Sequence, residues 1–239
     1  MASSILMITM GSRQAMGLYV GPLNTDTGLG IMTISLAMAI GQFLWGAVQP
    51  IAGAFADKYG PRPVLLSGVL ILVIGSALTP FVTSSWGLIL TMGFLTAIGS
   101  GACSFSVLLG AAAQRMPTES RGVASGIINA CGSFGQFVFA PIIQKLIQGF
   151  GWMGTMWSMA VVTLLAIPLL NKLTSDTHAP VKTPDPEGGL KKAVSDAIKN
   201  PSYLLLHLGF FTCGFHIAFL VTHLPTEVGL CGLSPTVAS

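Results

Sequence analysis

Gly53-Ala54-Phe55-Ala56-Asp57-Lys58-Tyr59-Gly60-Pro61-Arg62 is a short charged stretch set between two long apolar runs. Its residues have legible jobs. Gly53, lacking a side chain, permits a neighbouring helix to approach closely. Gly60 can take the left-handed conformation that ends a helix. Pro61 and Pro63 stop one helix and start the next. Asp57 is unusual, because a carboxylate at a helix C-terminus opposes the macrodipole and calls for a cationic or amide partner. The stretch is expected to be a tight, ordered connection between two helices.

The chain around it is overwhelmingly apolar. Of 239 residues, 52% are hydrophobic and only 8% charged, against about 25% charged in a soluble domain. The 29 glycines and 14 prolines sit within apolar runs, where membrane helices tolerate them. A formal charge of +3 gives no footing for nucleic acid. The four cysteines form no CxxC pair and read as small packing residues, without disulfide or metal. No cleavable leader is evident in the first run.

A bilayer core about 30 Å thick is crossed by about 20 apolar residues in helix. Seven runs qualify: roughly 2–23, 32–56, 63–82, 87–112, 122–147, 152–170 and 202–224. Their length and lack of strict alternation indicate helices rather than a barrel. Lys58 and Arg62, then Arg115 and Arg121, then Lys172, Lys182, Lys191, Lys192 and Lys199 occupy alternate connections, so nine of the eleven basic residues lie on one side. That side is expected to be cytoplasmic, with the N-terminus.

Residues 171–200 form a polar connection carrying Pro180, Pro184 and Pro186, expected as a cytoplasmic linker. Its end, Leu190 to Lys199, puts Leu190, Val194, Ala197 and Ile198 on one face, as in a short helix lying on the membrane surface. Asn200-Pro201 supplies a cap and first-turn proline for the seventh span. Trp86 and Trp152, each opening a span, read as interfacial anchors. Gly17/Gly21 and Gly122/Gly126 have the spacing of close helix crossings.

One internal repeat is present. Leu23-Asn24-Thr25-Asp26-Thr27-Gly28-Leu29 matches Leu224-Pro225-Thr226-Glu227-Val228-Gly229-Leu230, 201 residues later. The seventh span thus repeats the first, and Ser234 to Ser239 should begin an eighth. Two six-span halves in the same orientation make a parallel repeat, the arrangement of the major facilitator fold. The pattern G-x-x-x-D-K-x-G-x-R of Gly53 to Arg62 resembles the signature loop of the major facilitator superfamily. The resemblance implies that Gly53, Asp57, Lys58, Gly60 and Arg62 help hold the inward-closed state and release it as the halves rock. The expected class is an all-α integral membrane protein of the major facilitator fold. It comprises an N-terminal six-helix bundle (1–170), the linker (171–200) and the start of a C-terminal bundle (201–239), with the remainder of that second half missing.

Arg13 stands near the middle of the first run. An arginine at a helix centre costs about 2.5 to 3.5 kcal/mol on insertion scales, which demands a water-filled cavity, a partner anion or both. Its planar fork suits a carboxylate. Polar residues at helical spacing mark faces that turn inward: Ser35, Gln42 and Gln49 with Trp45 nearby; Thr96, Ser100 and Cys103; Ser125, Asn129, Ser133 and Gln136; Thr212, His216 and His223. Arg13, Gln42, Gln49, Asn129, Gln136 and His216 are the candidate binding residues, and His216 can also titrate and couple protons.

Gly11-Ser12-Arg13-Gln14-Ala15-Met16-Gly17, Arg121-Gly122-Val123-Ala124-Ser125-Gly126-Ile127 with Gly132-Ser133-Phe134-Gly135-Gln136, and Cys213-Gly214-Phe215-His216 are similar to bacterial members of the monocarboxylate porter and oxalate–formate antiporter group. That resemblance implies a secondary carrier for a small organic anion, coupled to protons or to a counter-anion, in a bacterial inner membrane. Leu95 stands where drug and sugar porters carry an arginine, and no proline follows Gly135, which lowers the drug-efflux reading. A porter for neutral solutes, with Arg13 structural, is the alternative. A third reading is that 1–239 alone is a non-functional piece, since sites of this fold lie between the halves. An intramembrane serine protease built on Ser125 and His216 lacks the glycine two residues before the serine, so no enzyme is expected. With no G-x-x-x-x-G-K-[ST] in the chain, no nucleotide or other cofactor is expected.

Overall fold

The computed structural model describes residues 1–114, 116–174 and 195–232. Arg115, Lys182, Lys191, Lys192, the linker prolines, the first half of the expected surface helix and the expected start of an eighth span lie outside the described residues. Among the described residues every regular element is helical.

The Gly53–Arg62 stretch joins α3 (Ile31–Tyr59) to α4 (Pro61–Leu78) through a single residue. Gly60 has φ 89° and ψ 156°. The positive φ was expected, but this ψ lies outside the left-handed helical well, in a region open essentially to glycine alone. Pro61 then opens α4, where its missing N–H costs nothing. Gly53 departs from expectation: a Cβ placed there meets nothing within 4 Å, so no close crossing uses it.

The first run is interrupted. α1 (Ala2–Gln14) ends at Ala15, a 3-10 turn covers Met16–Tyr19, and α2 (Val20–Thr27) completes the run. Pro22 explains the break, since its ring crowds the carbonyl four residues back and it has no N–H to return. The fourth run is also irregular. It comprises α5 (Ser85–Leu88), a π-helical segment over Ile89–Leu95, α6 (Thr96–Ala102) and α7 (Phe105–Ala113).

The 44 residues of α8 (Arg121–Leu164) would run about 66 Å as one straight helix, twice a bilayer core. Gly151, at φ 70° and ψ 173°, divides them into two. α9 (Ala166–Thr174) follows, then a helical turn at 195–199 (α10) and α11 (Pro201–Leu230). Asn200 caps α11, its Oδ1 accepting from the backbone N–H groups of Ser202 and Tyr203 at 3.0 and 3.4 Å. Five stretches are long and apolar enough to cross a membrane: Ile31–Tyr59, Pro61–Phe81, Ser85–Ala113, Thr118–Thr174 and Pro201–Gly229. The fourth holds the fifth and sixth expected spans, and the first expected span escapes the criterion because it is broken.

α1 packs along α8, α4 against α6, and α3 against the π-helical segment and α6. Glycines set these distances. A Cβ on Gly135 would lie 2.4 Å from the Met7 carbonyl oxygen, and one on Gly99 2.4 Å from the Leu72 nitrogen. Of the pairs singled out in the sequence, only Gly17 is at a crossing, against the backbone of Val221. Gly21, Gly122 and Gly126 face open space, because spacing shows that glycines share a face but not which face meets a neighbour.

The two tryptophans also separate. Trp86 is 81% exposed, as an interfacial anchor would be. Trp152 is 5% exposed, and its Nε1 donates to Asp26 Oδ2 at 2.9 Å. The chain reversal at Gly151 turns that indole inward, where it ties the end of α2 to the start of the sixth span.

Replacing Gly135 with Ala is expected to cost about 1–3 kcal/mol through overpacking, read as a lower thermal midpoint in detergent. Gly122→Ala, facing open space, should stay within about 0.5 kcal/mol of the parent. Trp152→Phe, which keeps the ring and removes the donor to Asp26, should cost about 1 kcal/mol.

Candidate functional site

Arg13 lies in the last turn of α1, just before the break at Ala15. It is 9% exposed. One of its terminal nitrogens, Nη2, donates to the Gly41 carbonyl oxygen at 3.2 Å and to Gln42 Oε1. Its guanidinium carbon sits 4.9 Å from the centre of the Trp45 ring. Gly41, Gln42 and Trp45 lie within little more than one turn of α3, so a single helix face holds the cation. At Gly41 the helix also packs on the π-helical segment, where a Cβ would sit 3.4 Å from the carbonyl oxygens of Met92 and Gly93.

The held charge is not neutralised. Among the described residues no carboxylate forms an ion pair with Arg13, and its Nε is buried without an acceptor. The indole N–H of Trp45 is likewise buried without a partner. A narrow cavity of about 30 Å³ opens beside the guanidinium, bordered by Gln42, Met92, Thr96, Val221 and Thr222 among others. That is room for a water or two. A second void of about 10 Å³ also borders Arg13, lined by Ser76, Ser100 and Met156 among others. Arg13 thus borders two small polar-edged spaces among the helices.

The sequence candidates distribute unevenly around it. Arg13 and Gln42 meet directly. Gln136, on α8, accepts from Gln14 Nε2 at 3.4 Å and borders a neighbouring groove of about 210 Å³ with Val221 and Pro225. Gln49 is half-buried two turns beyond Gln42, outside that cavity. Asn129 is exposed on α8. His216 is exposed on α11, its Nδ1 2.8 Å from the Thr212 carbonyl oxygen. The structure therefore brings Arg13 and Gln42 together with Gln136 one side chain away, and does not bring Gln49, Asn129 or His216 to them.

Four contributors were not assigned from sequence. Trp45 was noted only as near a polar stripe, yet it carries the guanidinium on its ring face. Met92 reaches the cavity from the π-helical segment, a geometry frequent at functional sites that leaves no residue-type signature. Val221 and Thr222 arrive from α11, which packs chiefly on Met16–Tyr19.

The loop motif is open to solvent. Asp57, Lys58 and Arg62 are exposed. Arg62 Nη2 makes a long 3.5 Å contact with Asn171 Oδ1, and Lys58 Nζ lies 5.2 Å from the Tyr59 ring centre. Among the described residues no hydrogen bond or ion pair reaches Asp57, so the partner expected from its place at a helix end is not supplied there.

The family model for the Major Facilitator Superfamily matches residues 2–239. Monocarboxylate transporter 13 of Bos taurus is 28% identical over 200 residues, covering 80% of this chain and 43% of that protein. The Oxalate:formate antiporter of Oxalobacter formigenes is 23% identical over 235 residues, covering 93% of this chain and 53% of that protein. The Fujikurins efflux protein of Gibberella fujikuroi is 27% identical over 183 residues, covering 77% of this chain and 38% of that protein. The chain spans about half the length of these relatives or less.

The α11 wall of the cavity depends on Gly17, where a Cβ would lie 2.0 Å from the Val221 carbonyl oxygen. Gly17→Ala is expected to push α11 away. The readout is thiol labelling of Val221→Cys in a background with the native cysteines replaced by Ser: faster with Gly17→Ala, unchanged with Gly21→Ala.

Proposed function

The chain belongs to the major facilitator superfamily, a family of membrane transporters, and from that premise we propose that it serves a carrier moving a small organic anion, a mono- or dicarboxylate, by alternating access, with Arg13 as the group that receives the anion. One observation carries this reading: a guanidinium nine-tenths buried among apolar helices, with no carboxylate partner among the described residues. A buried charge is costly unless paired. A carrier that releases its cargo leaves that partner position open in its empty state. The names of two relatives, a monocarboxylate transporter and an oxalate:formate antiporter, support a carboxylate cargo.

Within this reading Gln42 and Gln136 line the anion's path. Gln49, Asn129 and His216 would join the site only through a rearrangement or through the rest of the carrier. Residues 1–170 form the N-terminal bundle, 171–200 the linker and 201–239 the beginning of the second bundle. The lysine and arginine bias supports a cytoplasmic N-terminus. The bacterial inner membrane as address rests on the bacterial relative, the other two being eukaryotic. Gly53, Asp57, Lys58, Gly60 and Arg62 act at the cytoplasmic closure, where an unpaired Asp57 is free to take a cationic or amide partner from the second half. Protons or a counter-anion supply the coupling.

The efflux protein among the relatives favours a second reading, a porter for drug-like or neutral solutes with Arg13 structural. Uptake of labelled lactate, formate and oxalate by the full-length protein in proteoliposomes separates the two. The anion reading expects saturable uptake that falls about 10- to 100-fold in Arg13→Gln, the loss of a hydrogen bond to a charged group. Arg13→Lys should be intermediate, keeping the charge without the planar fork. Uptake unaltered in Arg13→Gln would sink this reading.

A further inference from the structure

Resting on the anion-carrier reading, we propose that the Gln42 carboxamide is a placeholder for the cargo's carboxylate, capping Arg13 in the empty carrier and stepping aside as the anion binds, so that it stabilises the empty carrier at the expense of cargo affinity.

The argument begins with the inventory of donors. A guanidinium has five N–H groups and no acceptor. The Gln42 atom that meets it must therefore be the amide oxygen, and Gln42 Oε1 is the atom in contact with Nη2. The other two supports are neutral as well. They are the Gly41 carbonyl at 3.2 Å and the Trp45 ring face. All three solvate the cation without a counter-charge, two through carbonyl dipoles and one through a ring quadrupole, and leave its charge in place.

They differ in freedom. The Gly41 carbonyl belongs to the α3 backbone. Trp45 offers a ring face and no side-chain acceptor to exchange, and its backbone lies at a close crossing, where a Cβ on Gly101 would sit 3.0 Å from the Trp45 carbonyl oxygen. Gln42 alone offers its acceptor on a flexible side chain, and it borders the cavity that Arg13 also borders. It is the acceptor that can be exchanged.

The exchange favours an anion through the charge on Arg13. A neutral solute offers Arg13 an amide or hydroxyl oxygen in return for an amide oxygen already in place, and gains nothing from the exchange. A carboxylate offers a full negative charge in a poorly screened setting, and gains.

The test compares uptake of labelled lactate with lactamide, and of formate with formamide, by the full-length carrier in proteoliposomes, alongside oxalate. Removing the competitor in Gln42→Met, which keeps the length of the side chain, or in Gln42→Ala should lower KM for the carboxylate. The cost of displacing Gln42 is shared by either cargo, so KM for the amide should fall alongside and the anion-to-amide preference should hold. Gln42→Glu, which installs a permanent carboxylate against Arg13, should abolish saturable anion uptake while the thermal midpoint holds or rises. A higher KM in Gln42→Met and Gln42→Ala would make Gln42 a plain ligand and overturn the placeholder role. Anion uptake retained by Gln42→Glu would overturn it equally. Arg13→Gln that still takes up the anion normally, or wild type that takes up none of the carboxylates, would instead remove the reading on which the inference rests.

Discussion

A cation has to be accommodated within a bundle of apolar helices, and much of the arrangement around α1 and α3 follows from that constraint. Arg13 is nine-tenths buried. Insertion of such a group is tolerated only where polar atoms replace the water it leaves. α3 meets this need over little more than one turn, with a carbonyl, a carboxamide and an indole face. The interruption at Ala15 and the 3-10 turn after it give α1 an end beside the cation. α11 closes the cavity from the side of that turn.

Such proximity needs helices that nearly touch. Hydrophobic burial cannot drive association when the surrounding medium is itself apolar, so van der Waals contact between backbones has to contribute. Gly135 against Met7, Gly99 against Leu72 and Gly41 against Met92 and Gly93 are the points where this occurs. Each removes a side chain from a crossing. The third draws α3 onto the π-helical segment, so Arg13's supports and the Met92 wall are fixed by the same contact. Elsewhere large apolar side chains such as Phe43, Phe137, Phe210 and Phe211 are left exposed, as suits surfaces turned toward lipid.

The fold was legible in the sequence to the extent that its signals are local. Gly60-Pro61 marks a helix end and a helix start through backbone sterics alone, and Asn200-Pro201 does the same for α11. Where the outcome depended on neighbours, local reading faltered. Gly53 and the Gly122/Gly126 pair had the right composition for close crossings but face open space. Trp152 had the position of an anchor but is turned inward to Asp26. Asn129 and Ser133 share the helical spacing of an inward stripe, yet both are exposed on α8, because periodicity identifies a face without saying what it meets.

By itself the sequence determined the helical membrane class, the main helix boundaries set by glycine and proline, and the presence of an arginine that apolar surroundings could not tolerate without polar company. These depend on composition, on chain geometry and on the cost of moving one charge out of water, all of which are properties of short stretches. Only the tertiary structure decided what that company is. Gln42 rather than Gln49 reaches Arg13, Trp45 lies under it, and Thr96 and Thr222 border its cavity from helices far apart in sequence. Those outcomes depend on the rotation and crossing of each helix relative to the others, which glycine contacts many residues away establish and no local pattern encodes.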